Sequence, residues 1–116
     1  MTEVLLPIRT WSEPNLRGHW ARRARRAREA REAARLLVRA ALAPLPPGTG
    51  GRKIIVRLTR IGPRRLDSDN LAAALKHVRD GVADALGMDD GDARLRWLYA
   101  QRNGRPGEYA VLVEIS

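Results

Sequence analysis

Apolar positions change period along this chain, and the changes mark its elements. Val4-Leu5-Leu6, broken by Pro7, predicts a short strand within Val4 to Thr10. Trp11-Ser12-Glu13-Pro14-Asn15 reads as a turn, since proline and asparagine interrupt regular structure. From about Leu16 to Ala43 there is no proline, Gly18 is the only glycine, and alanine, arginine, leucine and glutamate dominate, so one long helix is expected. Within it Ala21, Ala24, Ala27, Ala30, Ala34, Leu37, Val38 and Ala41 recur every three or four residues between arginine-rich flanks. Such a narrow alanine stripe suits close packing on a sheet or on a partner helix.

Pro44 to Gly51 is a loop by composition. Arg52 to Ile61 partly alternates apolar and basic residues around Ile54, Ile55, Val56, Leu58 and Ile61, as a half-buried strand would. Leu71, Leu75, Val78, Val82 and Leu86 then follow at helical spacing and predict an amphipathic helix from Asn70 to about Leu86, capped by Asp67 or Asp69 and ended by Gly87. At about 100° per residue, Lys76 and Asp80 fall within roughly 20° of Asp69, opposite the apolar stripe. Two more strands are expected at about Arg94 to Gln101 and Tyr109 to Ile115, joined by the turn Asn103-Gly104-Arg105-Pro106-Gly107. A helix-rich first half and a strand-rich second half, without βαβ alternation, predict α+β. The expected architecture is one domain over 1–116: a small mixed sheet of about four strands, a long N-terminal helix, and a second helix after the Asp-x-Asp loop.

Charge narrows the function classes. There are 22 Lys plus Arg against 13 Asp plus Glu, a formal net charge of +9, and all the cations but Lys53 and Lys76 are arginine. Guanidinium groups bind phosphate in a fixed bidentate geometry, so a nucleic acid is the expected partner, and a solvated arginine-rich surface is the bland alternative. With no cysteine, disulfides, thiolate zinc sites and cysteine nucleophiles are excluded. His19 and His77 are too few for a zinc site and are expected to be structural or on the surface. No apolar stretch approaches the length of a membrane span, so a cytoplasmic protein without a membrane or small-molecule partner is expected.

The acidic groups are segregated. All seven aspartates, at 67, 69, 80, 84, 89, 90 and 92, lie between positions 67 and 92, and every glutamate lies outside that stretch. Short carboxylates gathered inside a positive field are hard oxygen ligands of the kind a metal-dependent nuclease uses. Asp67-x-Asp69 sits at a strand-to-helix junction, where alternate residues of an extended segment point to the same side and both carboxylates can reach one cation. Ordinary helix capping is the competing explanation. Asp89-Asp90-Gly91-Asp92 follows the same helix, and a helix of some 17 residues separates its ends by about 25 Å, so a third ligand from there requires a returning loop.

Arg64-Arg65-Leu66-Asp67-Ser68-Asp69-Asn70-Leu71, then Lys76-x-x-x-Asp80, then Asp89-Asp90, resembles the signature of RusA-type Holliday-junction endonucleases over about residues 60 to 100. Trp11 to Asn15 followed by His19-Trp20 and a long helix is similar to that family's N-terminal turn and helix. The resemblance implies Mg²⁺, replaceable by Mn²⁺, held by Asp67, Asp69 and the Asp89-Asp90 pair, with Asp67, Asp69, Asp90 and Lys76 catalytic. It also implies hydrolysis of a phosphodiester to leave a 5′-phosphate. The family lysine often stands one helical turn nearer the Asp-x-Asp pair, where this sequence has Ala73; the shift keeps the same helix face. A four-way junction has two-fold symmetry, so a homodimer is expected, with the alanine stripe as a candidate part of its interface. Arg64 and Arg65 are candidates for scissile-strand phosphates, and Arg22, Arg23 and Arg26 for duplex arms.

Two alternatives stand beside this reading. Asp67-Ser68-Asp69-Asn70 begins like a calcium loop but puts Leu71 at the third ligand position and has no closing glutamate. A non-catalytic basic nucleic-acid-binding module accounts for the charge without any hydrolysis.

Overall fold

Six elements form in the order β1 (Thr2–Leu6), α1 (Trp20–Leu42), β2 (Ile54–Gly62), α2 (Ser68–Leu86), β3 (Leu95–Asn103) and β4 (Ala110–Ile115). They are seen in a computed structural model that describes residues 2–10, 20–42 and 52–116. The turn expected at Trp11 to Asn15, His19 and the loop expected at Pro44 to Gly51 lie outside the described residues. The fold is α+β, with one four-stranded mixed sheet in the order β1-β4-β2-β3. β2 runs parallel to β3 and antiparallel to β4, which is antiparallel to β1.

Period-two alternation decides which sheet face is buried. Ile54, Val56 and Leu58 of β2, Val111, Val113 and Ile115 of β4, and Leu6 of β1 share one face and form the core with both helices. α2 contributes Leu71, Leu75, Val78 and Val82, and α1 contributes Ala34 and Val38. Leu58 and Leu75 have no solvent exposure; burying a leucine side chain this completely stabilises by about 1.5–3 kcal/mol.

Two features of the topology differ from the sequence expectation. A βαβ unit is present: β2, α2 and β3 are consecutive, and β3 lies parallel to β2 from Ile54↔Leu95 to Gly62↔Asn103. Parallel neighbours need a crossover long enough to hold a helix, and α2 is that crossover. Consequently β3 and β4 are not paired, because β2 lies between them. The turn segment after Asn103 instead crosses the end of β2: Gly104 N–H donates to the Gly62 carbonyl at 2.7 Å, and Gly107 takes the left-handed conformation at φ 80°.

Part of the alanine stripe of α1 packs internally against α2 and β1, with Ala34 and Val38 fully buried, while Ala21, Ala24, Ala27 and Ala30 are half-buried and Ala41 is exposed. Leu37, placed on the stripe by spacing, is 41% exposed. Closest approach occurs at Gly81 of α2, where an added Cβ would lie 2.3 Å from the Arg31 carbonyl oxygen and 2.7 Å from Ala34 Cβ. The Arg31 guanidinium reaches across to Asp84, with Nε 2.6 Å from Oδ2 and Nη2 2.9 Å from Oδ1. Being half exposed, this pair contributes no more than about 1 kcal/mol.

Gly81→Ala therefore sets two effects against each other. Helix propensity alone would stabilise by about 1 kcal/mol, whereas forcing a methyl into backbone costs about 1–3 kcal/mol. The expected result is a lower urea midpoint; a rise would show that the helices do not meet at Gly81.

Candidate functional site

The end of β2 and the start of α2 are pinned at two points. Leu66 N–H donates to Gln101 Oε1 at 2.9 Å, and Gln101 Nε2 donates to the Leu66 carbonyl at 2.7 Å. One side-chain amide on β3 thus fixes both backbone polar groups of the residue before Asp67. Asp67 itself is the N-cap, with φ −70° and ψ 168°, and its Oδ1 accepts the Asn70 N–H at 3.0 Å. Its carbonyl accepts Leu71 N–H at 2.8 Å, opening the helix. Asp69 follows in the first turn, and both side chains are exposed. Neither carboxylate forms an ion pair among the described residues, and the positive end of the α2 dipole favours negative charge there.

Of the other aspartates, four lie against a cationic side chain and Asp89 bonds only to backbone. Asp80 lies 3.5 Å from Lys76 Nζ, and Asp84 is held by Arg31, whose guanidinium keeps its carboxyl below the usual range. Asp89 Oδ1 accepts Gly91 N–H at 3.4 Å. Asp92 accepts Arg94 N–H at 2.9 Å and the Arg94 Nε and Nη2 groups at 3.0 and 2.8 Å. These bonds lower the Asp92 carboxyl to about 2.

Asp90 sits at a junction of α2, β3 and the loop between them. Its carboxylate Oδ2 is 3.2 Å from Arg79 Nε, outside hydrogen-bond geometry. Its carbonyl accepts from Arg79 Nη2 at 3.2 Å and Trp97 Nε1 at 2.8 Å. Arg79 also donates to Tyr99 Oη at 2.7 Å and lies over the Trp97 ring, 4.8 Å from its centroid. The result is an open cleft lined by Ala72, Ala73, Lys76, Arg79, Asp90 and Tyr99.

The returning loop thus brings Asp90 to the Lys76 face of α2 but leaves it on Arg79, ten positions and about 15 Å of helix rise beyond Asp69. Among the described residues, no three His, Asp or Glu side chains form a group that could hold a metal ion. Asp67 and Asp69 stand two positions apart at the start of α2, and neither Asp89 nor Asp90 completes a three-carboxylate group with them among the described residues.

Arg64 and Arg65 are exposed beside this pair, and Arg22 and Arg23 are exposed on α1. Arg26 is half-buried and lines an open groove with Pro7, Ile8, Arg9, Glu29 and Ala30, so only part of its side chain is exposed. It shares a helical face with Ala30 and turns inward with it. His77 is half-buried beside Arg9, Thr10 and Arg26. Sequence reasoning missed Gln101, Arg79 and Arg60; of these, only Arg60 carried a readable signal, its shared parity with Val56 and Leu58.

A comparison with curated proteins finds 40% identity over 85 residues, 66% of this chain and 52% of the relative, to an uncharacterized protein of Xylella fastidiosa. The chain spans about half the length of that relative. No family model and no solved structure matches this chain. No helix among the described residues is long and apolar enough to cross a membrane.

Two outcomes follow from the anchoring contacts. Gln101→Ala leaves the Leu66 N–H and carbonyl without their partner and is expected to destabilise by about 1–3 kcal/mol; amide exchange at Leu66 checks this, and unchanged protection would refute the clamp. Because the folded carboxyl of Asp92 lies below its unfolded value, its contribution is present above about pH 4 and lost as pH falls toward 2. Acid titration of Asp92→Asn should therefore show a shallower loss of stability across that window than the parent protein.

Proposed function

We propose that this chain is a Mg²⁺-dependent endonuclease acting on branched DNA, of the RusA Holliday-junction resolvase type, with Asp67 and Asp69 as the metal-holding pair. One observation carries the reading. In a molecule of net charge +9, these two exposed carboxylates stand two positions apart at a helix N-terminus with no cationic partner among the described residues, while Asp80, Asp84, Asp90 and Asp92 each have one and Asp89 stands alone on the loop with only a backbone N–H.

The donor set fits the ion. Mg²⁺ is commonly held by one or two carboxylates, with substrate phosphate and water completing its shell, so a third aspartate is not required. Asp67 and Asp69 would hold it, and when bound it lowers the pKa of a coordinated water and offsets charge on the phosphoryl oxygens. Lys76, exposed on the same helix face, supplies a positive charge toward the strand. Asp90 neutralises Arg79 and fixes the loop wall of the cleft. Arg64 and Arg65 contact the scissile strand, and Arg22 and Arg23 a duplex arm. Two nicks across a two-fold junction call for a homodimer.

A second reading, a basic DNA-holding module without catalysis, is favoured by the absence of a third converging carboxylate among the described residues. A labelled four-way junction with Mg²⁺ separates the two. Asp67→Asn and Asp69→Asn should bind normally, because asparagine caps a helix as well as aspartate does, and should lose at least about 100-fold in nicking. Binding without cleavage by the parent protein would favour the module. Cleavage of plain duplex as fast as the junction would keep the nuclease and remove its substrate assignment.

A further inference from the structure

One cation is buried where the sheet face would otherwise be apolar. Arg60 of β2 is only 5% exposed and has the parity of Val56 and Leu58, so its side chain rises on the core side. Its Nε donates to Thr10 Oγ1 at 3.1 Å and its Nη1 to the Arg64 carbonyl at 2.6 Å. No carboxylate approaches it among the described residues, and Nη2 has no hydrogen-bond acceptor there.

The guanidinium folds back over Gly62, where an added Cβ would stand 2.8 Å from Nη2 and 2.9 Å from Cζ. Glycine thus leaves the room the guanidinium occupies. Next to it opens a cavity of about 240 Å³ lined by Arg9, Thr10, Arg60, Arg64, Leu66 and Tyr109. Arg9 lies over the Tyr109 ring, 4.3 Å from its centroid, which holds a second guanidinium at the rim.

Placing a charged group out of water without a counter-charge is costly. Burial lowers the Arg60 pKa; Tyr109 opposes that shift, and neighbouring Arg9 adds to it. Such a group is stabilised when an anion enters and accepts its unused donors. Leu66 on the rim immediately precedes Asp67, so the cavity adjoins the acidic pair.

We propose that this cavity is a phosphate-binding subsite, with Arg60 as its buried anchor and Arg9 and Arg64 as its rim, and that it holds a backbone phosphate of the DNA strand entering the Asp67–Asp69 site. The strand assignment rests on the nuclease reading; the anion chemistry does not.

The test uses the full chain without divalent metal, in two measurements: thermal unfolding with added inorganic phosphate, and salt titration of binding to a labelled junction. Phosphate is expected to raise the Tm of the parent protein, and Arg60→Met to abolish that rise. The same variant should weaken junction binding about tenfold at moderate salt and make the log–log salt slope shallower by about one. Its own Tm without phosphate should hold or increase, because methionine fills the space without a buried charge.

Should Arg60→Met fail to fold, the double variant Arg9→Ala, Arg64→Ala changes only exposed side chains and carries the same two readouts. An unchanged phosphate response in either variant overturns the subsite. Loss of the phosphate response with an unchanged salt slope overturns the DNA assignment and leaves a site for a free anion. Asp69→Asn keeps the phosphate response in every case, so failure of the nuclease reading is distinguishable.

Discussion

Pairing of aspartate with a basic residue on α2 and in the loop after it is the constraint on which the rest depends. Arg31–Asp84 joins α1 to α2, Arg79–Asp90 joins α2 to the loop after it, and Arg94–Asp92 fixes that loop to the start of β3. Each pair alone is exposed enough to be weak. Together they determine which aspartates remain available. Asp67 and Asp69, at the α2 N-terminus, form no ion pair among the described residues even though Arg64 and Arg65 stand close by in the sequence. The helix cap and the Gln101 clamp hold them there.

Local signals in the sequence were therefore reliable, and long-range ones were not. The α2 stripe appears as written, with Leu71, Leu75, Val78 and Val82 buried and Gly87 closing the helix in the left-handed conformation. Those features depend on i to i+4 contacts and on one backbone angle, both local. Strand order depends on what α2 packs against. A Gly-Arg-Pro-Gly segment between two strands has the composition of a hairpin turn, yet here it carries the chain past β2. Nothing local distinguishes the two.

The same division runs through the site. Asp67 and Asp69 were legible because a cap and a two-residue spacing are local facts. The position of Asp90 was not, since it depends on a loop whose anchor, Arg79, is eleven residues upstream and whose platform, Trp97 and Tyr99, lies on the strand that follows the loop. The partial burial of Arg26 was not legible for a related reason. In a helix rich in arginine, composition says that most are solvated, but only the position of β1 reveals which one is turned inward.

Arg60 shows how charge and topology combine. Arg57, three residues earlier, has the opposite parity, projects from the other sheet face and lies 4.0 Å from Glu114. Arg60 cannot make that contact, because β2 sends it into the helical layer, where its register partner is Val111. At the same end of the strand, two carboxylates have no cationic partner and a guanidinium no carboxylate among the described residues. They are held apart by the backbone between them: the Arg64 carbonyl takes Arg60, and the Asn70 N–H takes Asp67. Opposite charges that could cancel if the segment relaxed are kept separate by hydrogen bonds. Both remain available to a ligand that carries its own anion and its own divalent cation, and a phosphodiester with bound Mg²⁺ has that chemistry.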